Sequence, residues 1–127
     1  FNRLDNSPYM GKTIFELGPL PDKEMKEHLA GATGLLFPSL AEGFGLPPFE
    51  AAALGVPSIS SPLPSVEAHL AEMAVYAQPG DMYQWFKAIR DLASEDMAEQ
   101  TRRRSELRAY RLPTWYRHFA RVFDLIL

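Results

Sequence analysis

The chain contains no cysteine, which excludes disulfides, thiolate nucleophiles and thiolate metal sites and fits a reducing compartment. It has no apolar run near the roughly 20 residues of a membrane-spanning helix. No secretory leader pattern is visible either, so a cytoplasmic setting is the expectation. An excess of charge is also missing: 13 Lys and Arg face 16 Asp and Glu, a net charge of −3. A domain that grips nucleic acid by charge would carry a basic surplus. There is no repeat and no low-complexity tract. The 127 residues are 46% hydrophobic and 23% charged, which suits one globular domain with a core and is too short for two. The chain opens at Phe1 on residues without periodic pattern, and it reads as a fragment of something longer.

What is present is organised around FPSLAEGFGLPPFEAAALGVP, residues Phe37 to Pro57. Leu35-Leu36-Phe37 reads as a buried strand, and a loop with Gly43 and Gly45 follows. Leu46 precedes a proline and is pushed out of the α region, so the next helix is expected to begin at Pro47 or Pro48. Gly55 with Pro57 beyond it is a stop signal. Strand, glycine loop and helix start together present free backbone N–H groups and a positive dipole end. Glu42 in the loop and Glu50 in the expected first turn bracket this place.

Upstream, residues Phe1 to Lys12 read as an irregular lead-in, and Thr13 to Leu17 as a strand ended by Gly18-Pro19. Asp22 is an expected N-cap for a helix carrying Met25, His28 and Leu29 and closed by Gly31. Downstream, Val56 to Ser60 is expected as a strand, Ser65 to Ala71 as a short helix and Ala74 to Ala77 as another strand. From Asp81 the pattern is helical, with a stripe of Trp85, Phe86, Ile89 and Leu92. Pro113 interrupts it, and Thr114 can cap a closing helix with Trp115, Phe119, Val122, Phe123 and Ile126. Strands alternating with helices imply an α/β fold, a Rossmann-like parallel sheet flanked by helices on both faces. Ligands of such sheets bind outside the carboxyl ends of the strands, where the glycine loop falls.

Gly43-Phe44-Gly45 is not a dinucleotide fingerprint, because Pro48 stands where the third glycine belongs. It is not a phosphate-binding P-loop either, since no Lys-Ser/Thr pair follows. On spacing alone, turn geometry explains the glycines as well as anion binding does. A carboxylate at Glu50 is likewise explained by the helix dipole, at about 0.3–1 kcal/mol.

The stretch FPSLAEGFGLPPFEAAALGVPSISS resembles the donor-site signature of the retaining nucleotide-sugar glycosyltransferases of the GT-B fold, the group 1 family. The hallmark is a pair of glutamates, here Glu42 and Glu50, around a Gly-Phe-Gly-Leu loop. The resemblance extends from Leu17-Gly18 to the Trp115 region. It implies that Glu50 accepts hydrogen bonds from the ribose hydroxyls of the donor nucleotide. Glu42 would then be the catalytic and donor-binding residue that meets the sugar hydroxyls near the reacting carbon. Backbone around Gly43, Phe44, Gly45 and Leu46 would lie against sugar and diphosphate. It implies no cofactor beyond the nucleotide-diphosphate sugar substrate, and no metal. Ala52-Ala53-Leu54 departs from the family's usual residues there, a packing difference.

The diphosphate-binding Arg and Lys, and the acceptor-binding Rossmann domain, are expected upstream of Phe1. Residues 1–127 are therefore read as one C-terminal donor-binding domain fragment, inactive by itself, of a hexosyltransferase such as a mannosyltransferase. Its partners would be the nucleotide-sugar donor and, through the absent N-terminal domain, a glycan or lipid-linked acceptor, with no nucleic acid. Polysaccharide or glycolipid assembly is the implied setting, with peripheral contact at the inner face of a membrane left open. A GT-B-fold epimerase or phosphorylase and a non-catalytic GT-B-like module are the rival readings.

Other polar residues say less. His28, His69 and His118 have no ligand spacing and read as surface or helix-packing residues. Ser60, Ser61 and Ser65 read as turn residues that a nucleotide could reach. Arg102-Arg103-Arg104 with Arg108 and Arg111 reads as a solvated helix face, and Trp85 and Trp115 as core anchors.

Overall fold

The computed structural model describes residues 6–110. Three short strands, β1 (Leu35–Phe37), β2 (Ser58–Ser60) and β3 (Val75–Tyr76), form one parallel sheet in the order β1-β2-β3. Register is set by Leu35 opposite Ser58, Phe37 opposite Ser60, and Ser60 opposite Tyr76. Helices alternate with the strands: α1 (Asp22–Gly31), α2 (Leu46–Ala53), α3 (Pro64–Leu70), α4 (Met82–Ala93) and α5 (Met97–Ala109). A 3₁₀ turn at Ala71–Met73 joins α3 to β3.

The sheet is covered on both faces at central β2, whereas β1, expected as a buried strand, is an edge strand that leaves Leu36 48% exposed. Phe49 and Ala52 of α2, Val66 and Leu70 of α3 and Leu107 of α5 form one cluster, against which Phe37 and Tyr76 pack. Ile59, Ala77 and Leu92 of α4 form a second cluster, joined by Val75, Trp85 and Ala88. Successive strand residues face opposite ways, so Ile59 serves the second cluster while Phe37 and Tyr76, at the ends of the flanking strands, pack on the first. Central β2 is buried at every position, as a parallel strand between two helix layers must be. Its flanks are the small Ser58 and Ser60, and α2 presents buried Ala51 and Ala52. Small residues on both sides let α2 lie close to β2.

Several expectations change. Thr13 to Leu17 is not a strand: it carries a single isolated bridge, Met10 to Ile14, and Phe15 and Leu17 are 64% and 53% exposed. Strand propensity acts only where a neighbour supplies pairing and cover. Helix α1 begins with Asp22 inside it and Pro21 as its cap, and it buries none of its residues. Helix α2 starts at Leu46, before the prolines, with left-handed Gly45 (φ 73°) as its cap. The continuous helix expected from Asp81 is broken between Ala93 and Met97, where Asp96 caps α5 by accepting from the Glu99 N–H at 2.8 Å. The Trp85 stripe divides, with Leu92 buried and Phe86 exposed. The closing helix with Trp115, Phe119, Val122, Phe123 and Ile126, together with Arg111 and His118, lies outside the described residues.

The Arg run does structural work. Arg102 pairs with Glu99 and Glu106, and half-buried Arg103 with Glu95. Arg104 donates to the Ala32 carbonyl at 2.6 Å. Ala32 and Gly55 precede β1 and β2, so Arg104 and Arg108 dock α5 at the amino edge of the sheet. The glycine loop lies at the opposite, carboxyl edge.

Candidate functional site

Because the strands are parallel, the segments after Phe37, Ser60 and Tyr76 all emerge at the same edge. The Ser61 N–H donates to the Phe37 carbonyl at 3.0 Å, which ties the first two exits together. The glycine loop rises from the first exit and returns into α2. Gly45 turns the chain with φ 73°, a conformation that favours glycine. It is buried: a Cβ built on it would stand 3.4 Å from Val66 Cγ2, 3.6 Å from Phe37 Cε1 and 3.8 Å from Glu42 Cβ. Gly43 is the reverse case, exposed and with nothing within 4 Å of a built Cβ.

The helix start is unusual in its donors. Normally four N–H groups at a helix start lack intrahelical partners and a side chain caps some of them. Here two of those positions are Pro47 and Pro48, which have no N–H, and no side chain caps α2. Among the described residues, the N–H groups of Gly43, Phe44 and Leu46 donate to nothing in the fold. All three residues are exposed.

The two glutamates differ in their ties. Glu42 is exposed and accepts from the Ser39 hydroxyl at 2.8 Å; the same hydroxyl stands 3.2 Å from the Ala41 carbonyl. One carboxylate oxygen is thus oriented and the other is left open. Glu50 is exposed on α2 between buried Phe49 and Ala51. It has no ion pair or side-chain hydrogen bond among the described residues. Since α2 begins at Leu46, Glu50 falls beyond the first turn, where the dipole acts weakly. The dipole explanation of Glu50 therefore loses its footing.

Above the loop lies an aromatic group. Phe44 stacks on Phe49 with centroids 4.9 Å apart and planes at 30°. His69 of α3 meets Phe44 at 5.5 Å and Phe49 edge-on at 5.8 Å. At the second exit, Ser60 Oγ donates to the Ser61 carbonyl at 2.8 Å, and both serines are buried. Ser61 Oγ is the buried side-chain polar atom without a partner among the described residues. Ser65 lies half-buried at the start of α3, its carbonyl 2.8 Å from His69 Nδ1. Tyr76 closes the edge beneath α3, its hydroxyl donating to the Val66 carbonyl at 3.4 Å; burial, then the nearby Glu67, pushes the phenol pKa up. No group of three His, Asp or Glu converges as a metal cage among the described residues.

The fold thus brings Glu42, Gly43, Phe44, Gly45 and Leu46 to one edge, with Glu50 on the following helix. His28 stands apart on α1. Sequence reasoning missed Ser39 and the placing of His69. Ser39 stands three residues before Glu42, close enough in sequence for their side chains to meet across the turn. Nothing local in sequence links His69 to Phe44.

Comparison with known proteins supplies the family. The family model described as "Glycosyl transferases group 1" matches residues 3–95. Over 69 residues, 54% of this chain, it is 39% identical to the O-antigen chain mannosyltransferase RfbU of Salmonella typhimurium, of which it covers 20%. Over 66 residues, 52% of this chain, it is 36% identical to O-antigen chain mannosyltransferase B of Escherichia coli, covering 17% of that protein. The chain thus spans about a fifth of the length of these relatives. No solved structure gives a significant match. The matched region holds the whole sheet, the glycine loop and both glutamates, and the chain belongs to the group 1 glycosyltransferases.

Proposed function

We propose that this chain is the donor-binding part of a retaining GT-B glycosyltransferase that moves a sugar, of the mannosyl kind, from a nucleotide-diphosphate sugar to a growing polysaccharide or glycolipid. The observation that carries the reading is Glu50, an exposed carboxylate that no described residue pairs with and that α2 does not need for capping. In the donor complex it accepts from the ribose hydroxyls, and Glu42, oriented by Ser39, accepts from hydroxyls of the sugar. The N–H groups of Gly43, Phe44 and Leu46 face the sugar and diphosphate. In the reaction the bond from the anomeric carbon to the diphosphate oxygen breaks and a bond to the acceptor oxygen forms on the same face. The acceptor proton leaves with the departing diphosphate or to solvent. Negative charge gathers on the diphosphate, where pre-placed backbone donors stabilise it more than they stabilise the bound donor.

The mannosyl donor is suggested by the two relatives, both mannosyltransferases of O-antigen chains. The reading asks for no metal and no further cofactor, and it leaves acceptor binding and further diphosphate contacts to the rest of the protein. It sets the enzyme in the cytoplasm, where nucleotide sugars are consumed. No helix among the described residues is long and apolar enough to cross a membrane. Arg102 pairs with Glu99 and Glu106 and Arg103 with Glu95, which leaves less unpaired positive charge on α5 to draw an anionic lipid.

Glu50→Ala in the intact protein tests the reading. Losing a charged acceptor of this kind costs about 1.5–3 kcal/mol, so the Kd for the matching nucleoside diphosphate should rise at least about tenfold. Binding is measured by calorimetry across ADP, GDP and UDP, with a melting curve to check the fold. An unchanged Kd with the fold intact removes Glu50 from the donor site.

A further inference from the structure

We propose that His69 is a positioning residue for the glycine loop: its ring holds Phe44, and so keeps the exposed N–H groups of Gly43 and Phe44 where the donor meets them. This rests on the reading of that loop as the donor site.

The argument starts at the ring nitrogen. His69 Nδ1 lies 2.8 Å from the Ser65 carbonyl one helical turn earlier. A carbonyl only accepts, so Nδ1 carries the hydrogen, and the bond fixes the plane of the ring against α3. The fixed ring then meets Phe44 at 5.5 Å, tilted by 60°, and Phe49 at 5.8 Å, edge-on at 88°. Phe49 is 1% exposed and forms a rigid floor. Phe44 is 42% exposed, so burial alone does little to hold it. It is held by two ring neighbours, the floor below at 4.9 Å and His69 at its side.

Among the described residues, the rest of the loop lacks other anchors on this side. A Cβ built on Gly43 meets nothing within 4 Å, and the N–H groups of Gly43 and Phe44 bond to none of those residues. The hydrogen bond that Glu42 makes among them stays within the loop, through Ser39. The chain between Glu42 and Gly45 therefore depends on Phe44 for a fixed course. His69 comes from the helix after β2, so it couples the second strand exit to the loop of the first. Ring pairs of this geometry shift an equilibrium by roughly 2- to 12-fold, a range fit for tuning affinity.

The test uses the intact protein with His69→Ala, His69→Asn and His69→Phe. Asn keeps an N–H near the Nδ1 position without a ring; Phe keeps a ring without the N–H. Backbone NMR order parameters at Gly43, Phe44 and Leu46 are measured without ligand, and affinity is titrated with GDP and UDP as probes. Ala and Asn should lower the order parameters at Gly43 and Phe44 and weaken the better probe by roughly 2- to 12-fold. Phe should recover most of both losses, and all three should melt near the parent because His69 is exposed. Unchanged order parameters in the Ala variant, or rescue by Asn as full as by Phe, overturns the proposal. Glu50→Ala is run beside them. If it weakens binding and His69→Ala does not, the positioning role fails and the donor reading stands. If neither weakens binding, the donor reading fails and takes the positioning role with it.

Discussion

Alanine at Gly45 and alanine at Gly43 are expected to injure the protein in opposite ways. Gly45 sits at φ 73°, and a left-handed L-residue costs about 1–2 kcal/mol. The new methyl adds little to this, since its nearest neighbours would be 3.4–3.8 Å away, ordinary contact distances. For a domain of this size each kcal/mol moves Tm by about 4–8 °C, so Gly45→Ala should melt roughly 4–16 °C below the parent. Gly43 has no positive φ and nothing within 4 Å. Its alanine also loses less entropy on folding, so stability should hold within about 1 kcal/mol or rise slightly. On the proposed donor reading, the Gly43 methyl instead enters open space that the donor's sugar and diphosphate would approach, and should weaken donor binding. Melting curves and donor titrations on the two variants of the intact protein read both effects. Equal destabilisation by the two alanines would refute the division between turn and ligand approach. A Gly43→Ala protein that binds its donor as the parent does would refute the placing of the donor.

Further outcomes follow from the same geometry. Glu42→Gln should lower turnover while leaving free nucleoside diphosphate binding nearly intact, and equal loss of nucleotide binding in Glu42→Gln and Glu50→Ala would end that separation of roles. Gly55→Ala should cost more than Gly45→Ala, roughly 2–5 kcal/mol. Its φ is 75°, and a Cβ there would lie 2.8 Å from Arg108 Cγ and 3.0 Å from the Arg104 carbonyl. Adding Arg108→Ala should recover only part of the loss in a denaturant titration, because the backbone contact remains.

The central unit was legible because local chemistry sets it. Leu35 to Phe37 is apolar and short, Pro47-Pro48 fit only a helix start, and Gly55 with Pro57 ends the helix whatever lies around it. The cap at Asp81 follows the same near-neighbour chemistry, although the sequence pattern marks Asp81 only as the start of a helical stretch: its carboxylate accepts from the Gln84 N–H at 3.0 Å. The Asp96 cap was there to be read too, in Asp-x-x-Glu, but the helical pattern around it hid the break. The family of the chain was legible in the paired glutamates and their loop, and the family match agrees.

What sequence alone determined, then, is the strand–loop–helix around Glu42 and Glu50 and the family it belongs to. Its signals are near-neighbour rules of φ, missing N–H groups and apolar period, which need no distant partner. Only the tertiary structure decided the rest, since each remaining question concerns residues far apart in sequence. It withheld a strand from Thr13 to Leu17 because, among the described residues, that segment finds only the single bridge from Ile14 to Met10. It turned Arg103 and Arg104 from a solvated face into ties to Glu95 and Ala32. It left Glu50 beyond the first turn of α2 and, among the described residues, without an ion pair or side-chain hydrogen bond. And it set His69 against Phe44, because the parallel crossover returns α3 to the same sheet edge as the glycine loop.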